Sequence, residues 1–155
     1  MKEIDFRKLS YYRTPSPIYK TQNEIRTILQ KFGLQGIRFT EYKNIGIIEF
    51  ILERENKEYT FRFKFTLPEK EIYRKQVYRA LFHYLKNRFM AVEFGINSVE
   101  QEFLQELVLK LSNGSNSTVK EILGENINTL QYSKDLLLPF KSENENKKTE
   151  VKYNE

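Results

Sequence analysis

The stretch 58-EYTFRFKFTLP-68 alternates with a strict period of two. Tyr59, Phe61, Phe63, Phe65 and Leu67 form one series, and Thr60, Arg62, Lys64 and Thr66 form the other. Successive side chains of a strand point to opposite faces, so the segment reads as a strand with a dry side and a wet side. Aromatics beside cations also suit a surface that stacks bases and tracks phosphates. The neighbouring sequence decides between the two. The run 47-IIEFILE-53 precedes it, and residues 54–57 are read as a four-residue loop. One antiparallel register then sets Phe50 opposite Phe61, Ile48 opposite Phe63 and Leu52 opposite Tyr59, all on one side. Glu49 faces Arg62 and Ile51 faces Thr60 on the other. A slip of one residue would invert every side chain, so this agreement fixes the register. A third strand, 37-IRFTEY-42, joins through a turn at 43–46 that places Phe39 opposite Phe50 and Ile37 opposite Leu52. The aromatic series is thereby assigned to the core. Arg62 gains a cross-strand partner in Glu49, while Lys64 has no carboxylate opposite.

Helices are expected on either side of this meander. Thr21 with Glu24 has the spacing of a capping box and predicts a helix over 22–32, burying Ile25, Ile28, Leu29 and Phe32 and ended by Gly33. Pro68 closes the last strand, and a long helix is predicted from about Glu69 to Phe94. Its apolar residues (Val77, Tyr78, Ala80, Leu81, Phe82, Tyr84, Leu85, Phe89 and Val92) cover about 200° of its circumference. Lys75, Arg79, His83 and Lys86 form a narrow stripe opposite. Ser98 with Gln101 predicts a further helix carrying Val99, Phe103, Leu104 and Leu107. Residues 113–117, NGSNS, read as a loop, and Ser117 or Thr118 opens a last short helix. The fold class is α+β: a helix, a three-stranded antiparallel meander, a long helix packed on one face, then two shorter helices. The expected organisation is a basic aromatic arm at 1–20, one domain at 21–124, and an extension at 125–155 that is disordered after about 141.

The formal net charge of +5 is concentrated before Gly95, and the sequence isoelectric point is near 9.2. Such asymmetry suits a polyanionic partner. The absence of cysteine excludes disulfides, thiolate zinc sites and cysteine catalysis. No segment has the apolar run of a signal peptide or a membrane span, so no membrane partner is expected and the location is cytoplasmic, in a host cytoplasm if the chain is viral.

The segments NEIRTILQKFGLQGIRF, FRFKFTLP, KQVYRALFHYLKNRFMAVEFGINSVEQEFLQELVL and NGSNSTVKEIL occur in an informative order. Across roughly 21–124 this order resembles a family of short, uncharacterised phage and prophage proteins. That family has an E-I-x-x-I-L-x-x-F-G opening, here Glu24 to Gly33, a long helix ending E-x-G-I, here Glu93 to Ile96, and an E-x-F-L helix, here Glu102 to Leu104. The resemblance implies a phage or mobile-element origin and a role in DNA metabolism, without an activity. The helix–three strands–helix order is also that of the double-stranded RNA-binding domain, whose lysine cluster would correspond to Lys70, Arg74 and Lys75.

Catalysis is not expected. His83 is the single histidine, and aspartate occurs only at positions 5 and 135. That is too sparse for a serine triad, a multi-histidine metal site or a two-metal nuclease. No catalytic residue, metal or cofactor is therefore assigned. The nucleic-acid candidates are Lys75, Arg79, His83 and Lys86 on the long helix and Arg62 and Lys64 on the strand. In the arm they are Arg7, Lys8 and Arg13 for phosphate, with Tyr11 and Tyr12 for base stacking. The partner is read as nucleic acid, more specifically single-stranded DNA for an accessory protein of replication or recombination. The alternative is a protein-interaction module: a homo-oligomer, or a factor that binds a host protein through an apolar helix face. Its interface candidates are Arg88, Phe89 and Val92, because Arg88 falls inside the apolar arc, where it must snorkel, pair with a carboxylate such as Glu93 or Glu100, or sit in an interface. The apolar cluster 135-DLLLPF-140 supports the same alternative.

Overall fold

The structure is a computed structural model that describes residues 4–126. The 135–140 cluster and the tail expected to be disordered lie outside the described residues. A 3-10 turn at Phe6–Lys8 leads to α1 (Ile18–Lys31), and β1 (Leu34–Tyr42), β2 (Ile45–Arg54) and β3 (Lys57–Thr66) follow. Next come α2 (Glu71–Glu93), α3 (Val99–Glu102), a 3-10 turn at Leu104–Glu106, β4 (Val108–Lys110), β5 (Asn116–Thr118) and α4 (Val119–Asn126). The main sheet is antiparallel in the order β1-β2-β3, and β4 with β5 forms a separate small hairpin. The α+β architecture thus follows the order read from the sequence.

All five pairs expected between β2 and β3 occur, Phe50 with Phe61 and Glu49 with Arg62 among them. The connection is tighter than the four-residue loop expected. Glu55 and Asn56 form a two-residue turn with φ of +52° and +61°, and Arg54 pairs with Lys57. Left-handed backbone at both central positions matches the twist of the strands, which is why the register is unchanged. Between β1 and β2 the expected pairing is corrected: Phe39 lies opposite Ile48, and Leu34 lies opposite Leu52. The turn is again two residues, Lys43 and Asn44, and a bulge between Gln35 and Arg38 absorbs an extra residue. Gly36 sits in that bulge with φ of +60°, and a Cβ there would come 2.9 Å from Ile51 Cδ1. Gly46 is held by a different constraint, since a Cβ there would come 2.4 Å from the Phe65 ring.

One face of the sheet carries Ile48, Phe50, Leu52, Phe61 and Phe63, which cluster with Ile25 and Leu29 of α1, Leu85 and Phe89 of α2, and Val99 and Phe103. Phe103 is fully buried and turns its edge to Phe50, Phe61 and Phe63 at 5.8–6.3 Å between centroids. Burying one such ring contributes about 1.5–3 kcal/mol.

Three expectations about the helices are corrected. α1 starts at Ile18 behind Pro17, so Thr21 is not its cap; Thr21 is fully buried on the face of Ile25 and Leu29, and Glu24 pairs with Arg79. Most of the wide apolar arc of α2 is consumed inside the domain, with Ala80 and Tyr84 left exposed. Tyr78, Leu85 and Phe89 are buried, and Leu81, Phe82 and Val92 pack against the core. Phe89 and Val92 are therefore core residues rather than an interface. The helix expected through Leu107 stops after one turn, although the Ser98–Gln101 capping box is present. The Glu102 carbonyl accepts from Arg88, Glu106 N donates to Phe103 O at 3.0 Å, and Leu107 bridges to Phe61 of β3. Arg88 thus takes the carbonyl to which Glu106 N would donate in a continuing helix, and that N–H turns to the local Phe103 carbonyl. The loop at 113–117 is correspondingly shorter than expected, because β5 begins at Asn116. Thr118 caps α4: its Oγ1 accepts from Glu121 N at 3.2 Å, and Glu121 Oε2 accepts from Thr118 N at 2.8 Å.

Candidate nucleic-acid interface

The arm is laid along α2. Gln76, 2% exposed, is the central contact: its Nε2 donates to the carbonyls of Phe6, Leu9 and Ser10 at 2.9, 3.2 and 2.8 Å. Phe6 stacks on Tyr73 one turn before Gln76, with centroids 5.0 Å apart, and Tyr12 tilts against the same ring at 6.3 Å. Tyr11 lies on His83 two turns further along, at 4.7 Å. Two regions separated by some seventy residues, which the sequence offered as independent candidates, therefore form one surface.

Cations frame these aromatics. Arg13 sits 5.3 Å from the Tyr12 centroid and Lys70 sits 5.8 Å from that of Tyr73. The side chains of Arg7 and Lys8 are 68% and 83% exposed, although both pair with Asp5, at 3.0 and 3.7 Å. The hydrogen bond from Arg7 holds the Asp5 carboxyl below the usual carboxylate range. Lys75 makes an i,i+4 pair with Glu71 at 3.4 Å, an exposed contact that solvent screens. Lys86 is exposed and has no acidic partner among the described residues.

Arg79 and His83 are more constrained. Arg79 pairs with Glu24 and covers the Phe82 ring at 4.4 Å. Burial depresses the pKa of the His83 imidazole, and the positive charges of Arg79 and Lys86 depress it further; Glu24 opposes them. His83 is thus a neutral ring under Tyr11 rather than a cation at neutral pH.

The two strand candidates fall on different ground. Arg62 Nε donates to Glu49 at 2.8 Å, and Arg38 pairs with the other oxygen of the same carboxylate. Burial acts to raise the Glu49 pKa, but the two guanidiniums outweigh it and hold the group ionised. Lys64 pairs with Glu121, whose pKa is held down at about 2 by that ammonium and by Thr118 N–H. Neither joins the arm–α2 surface through any contact. Arg74, the middle residue of the cluster compared with the double-stranded RNA-binding domain, also serves the fold. It donates to Pro68 O at 2.8 Å, Glu41 at 3.1 Å and Lys43 O at 3.2 Å.

Arg88 is an internal clamp rather than an interface residue. Its side chain is 14% exposed, donates to Glu102 at 3.1 Å and Glu106 at 2.9 Å, and lies 4.3 Å from the Phe103 centroid. Of the three alternatives it takes carboxylate pairing, but with neither Glu93 nor Glu100; those bind Lys31 and Arg54. Sequence reasoning missed Tyr73 and Gln76 as seats of the arm. Their polar or amphipathic positions on the helix flank were the available signal. Among the described residues, no three His, Cys, Asp or Glu side chains are grouped to hold a metal ion, and no helix is long and apolar enough to cross a membrane.

Comparison with protein-family models, curated proteins and solved structures returns no match.

Proposed function

We propose that the chain is a non-catalytic nucleic-acid-binding accessory protein of phage or mobile-element DNA metabolism, and that it takes single-stranded DNA along the arm–α2 surface. The observation that supports this reading is the docking of the arm on α2, which sets Arg13 beside Tyr12, Lys70 beside Tyr73 and Tyr11 on His83, with Arg7, Lys8, Lys75 and Lys86 carried on the arm and α2. Tyr11 is stacked on His83 and remains 39% exposed, which leaves it accessible to a base. Cations beside accessible aromatic faces favour a strand whose bases are unpaired. The phage assignment rests on the sequence resemblance. Fluorescence anisotropy with labelled oligonucleotides at two salt concentrations tests the reading. Log K is expected to fall by about 0.7 per phosphate neutralised for each decade of salt, and absence of binding at low salt would overturn it.

A second reading is kept by one observation. Phe94 and Ile96, at the end of α2, are 76% and 70% exposed. Neighbouring exposed apolar side chains suit a protein contact, with a second copy or a host protein. Mass measurement in solution separates self-association from a monomer.

A further inference from the structure

The side of α2 turned away from the sheet carries no charge. At about 100° per residue, an arc of about 140° on that side contains no Lys, Arg, Asp or Glu along the whole helix. The arm covers the first half of this arc: Phe6 stacks on Tyr73, three arm carbonyls accept from Gln76, and Tyr11 lies on His83. The second half is bare among the described residues. Tyr84, Met90 and Phe94 are 49%, 44% and 76% exposed, Asn87 is exposed, and Ile96 continues the apolar surface beyond Gly95. The helix end beneath them is held in place, since Phe94 N donates to Met90 O at 3.0 Å and Ile96 N to Ala91 O at 2.9 Å. Tyr84, Asn87, Ala91 and Phe94 recur at steps of three, four and three, the spacing of a seam between two helices. That spacing reads the same from either end. Beside Tyr84 lies an open groove of about 480 Å³, walled by Leu104, Gln101 and Gln105.

We propose that a second copy of this chain occupies the bare half, its α2 antiparallel to the first, with Tyr84 opposite the partner's Phe94 and Asn87 opposite the partner's Ala91. A two-fold interface must complement itself. The palindromic seam does so: each aromatic end meets the other aromatic end, and the smaller Asn87 and Ala91 meet at the centre, where the helices approach most closely. A face paired with itself sets any charge near its own copy, so a neutral arc suits a second copy where a polyanion would need cations. Phe94, the most exposed member of the seam, then enters the groove between the partner's Tyr84 and the partner's Leu104. The partner's helix ends opposite Tyr84, one residue short of His83, so it leaves the arm in place. This deepens the second reading above by naming the partner, and it is independent of nucleic-acid binding.

Sedimentation equilibrium of the full chain over a wide concentration range tests the proposal, and a monomer–dimer equilibrium is expected. Phe94→Ala is expected to weaken the dimer at least about tenfold. Its side chain is largely exposed, so the truncation spares the fold, which circular dichroism checks. The chain has no cysteine, so introduced thiols report the register. Asn87→Cys mixed with Ala91→Cys is expected to form a disulfide between the two chains. Tyr84→Cys alone is expected to form none, because the two copies of residue 84 lie about 15 Å apart along the axis in this register. A chain that is monomeric at every concentration overturns the proposal together with the self-association half of the second reading. A monomer in which the single indole of Phe94→Trp is shielded from iodide overturns it too, and assigns the face to another part of the same chain. A dimer that Phe94→Ala leaves unchanged, or one that Tyr84→Cys links to itself, overturns this face and register and leaves self-association standing.

Discussion

Tyr11 lies flat on His83, their centroids 4.7 Å apart and their planes within 1° of parallel. Tyr11 has φ of +64°, a left-handed conformation that disfavours bulky side chains, so the stack is made against a backbone cost. The arm covers the imidazole, and burial is the largest cause of its lowered pKa, ahead of Arg79 and Lys86 and against Glu24. A group with a depressed histidine pKa is neutral in the docked state. Docking is therefore at full strength above the ordinary value of 6.5 and weakens as pH falls through the lowered one. Tyr11→Ala is expected to raise the His83 pKa toward 6.5, read by NMR titration of the single imidazole. An unchanged value would mean that the ring does not desolvate the histidine.

Gln76 concentrates the docking of the arm in one amide, because three arm carbonyls share its Nε2. Gln76→Ala removes that donor and is expected to cost about 1–3 kcal/mol by urea unfolding. Tryptic cleavage after Arg7, Lys8 and Arg13 should accelerate in the same variant. Gln76→Glu places a carboxylate against three carbonyl oxygens and should release the arm as fully. Continued protection in both variants would show that the aromatic stacks alone hold the arm.

The aromatic alternation in β3 made the hairpin legible, because the same register that set apolar against apolar on one face set Glu49 against Arg62 on the other. The β1 pairing missed by two positions because the turn is the two residues Lys43 and Asn44 rather than 43–46, and the bulge at Gly36 adds one more position beyond it, since a lone glycine in a strand does not reveal whether a residue has been inserted. The early start of α1 was hidden by Thr21, whose sequence context mimics a cap while the fold uses it as a small buried filler. The short helix after Ser98 was over-read because its end depends on Arg88, fourteen residues before Glu102, capturing the Glu102 carbonyl. For the candidate surface, the sequence named the cations and tyrosines, but their partners are non-local. Glu24 on Arg79 and Gln76 under the arm are consequences of how α1, α2 and the arm meet.

Arg88 bridges two carboxylates from a largely buried position, with side-chain exposure of 14% against 15% for Glu102 and 8% for Glu106. Removing one partner of a buried pair leaves the other charge uncompensated. Arg88→Ala is expected to destabilise the protein by about 3–5 kcal/mol in urea. The double change Arg88→Met with Glu106→Gln should recover part of that loss, since methionine refills the space over Phe103 and the neutral amide is easier to bury. A double variant no more stable than Arg88→Ala would place the stabilisation in the hydrogen bonds of Arg88 to Glu102 and Glu106 rather than in packing or in relief of the buried charge.

The intramolecular ion pairs on α2 lead to an opposite-signed test of the binding surface. Glu24 engages Arg79, and Glu71 engages Lys75, so two of the stripe's four candidate residues are neutralised within the protein. If the stripe tracks a phosphate backbone, these carboxylates compete with DNA for the same cations. Glu24→Gln together with Glu71→Gln should then increase affinity at low salt. It should also steepen the salt dependence by up to about 0.7 for each cation released to a phosphate. Lys86→Ala with Arg13→Ala should weaken binding and flatten the slope, because neither cation has an acidic partner among the described residues. Ordinary helix solubilisation predicts no change in affinity from either pair of substitutions, and only small changes in stability. Anisotropy titrations of both double variants, at matched salt, distinguish a nucleic-acid surface from a solvated helix face by the sign of the response.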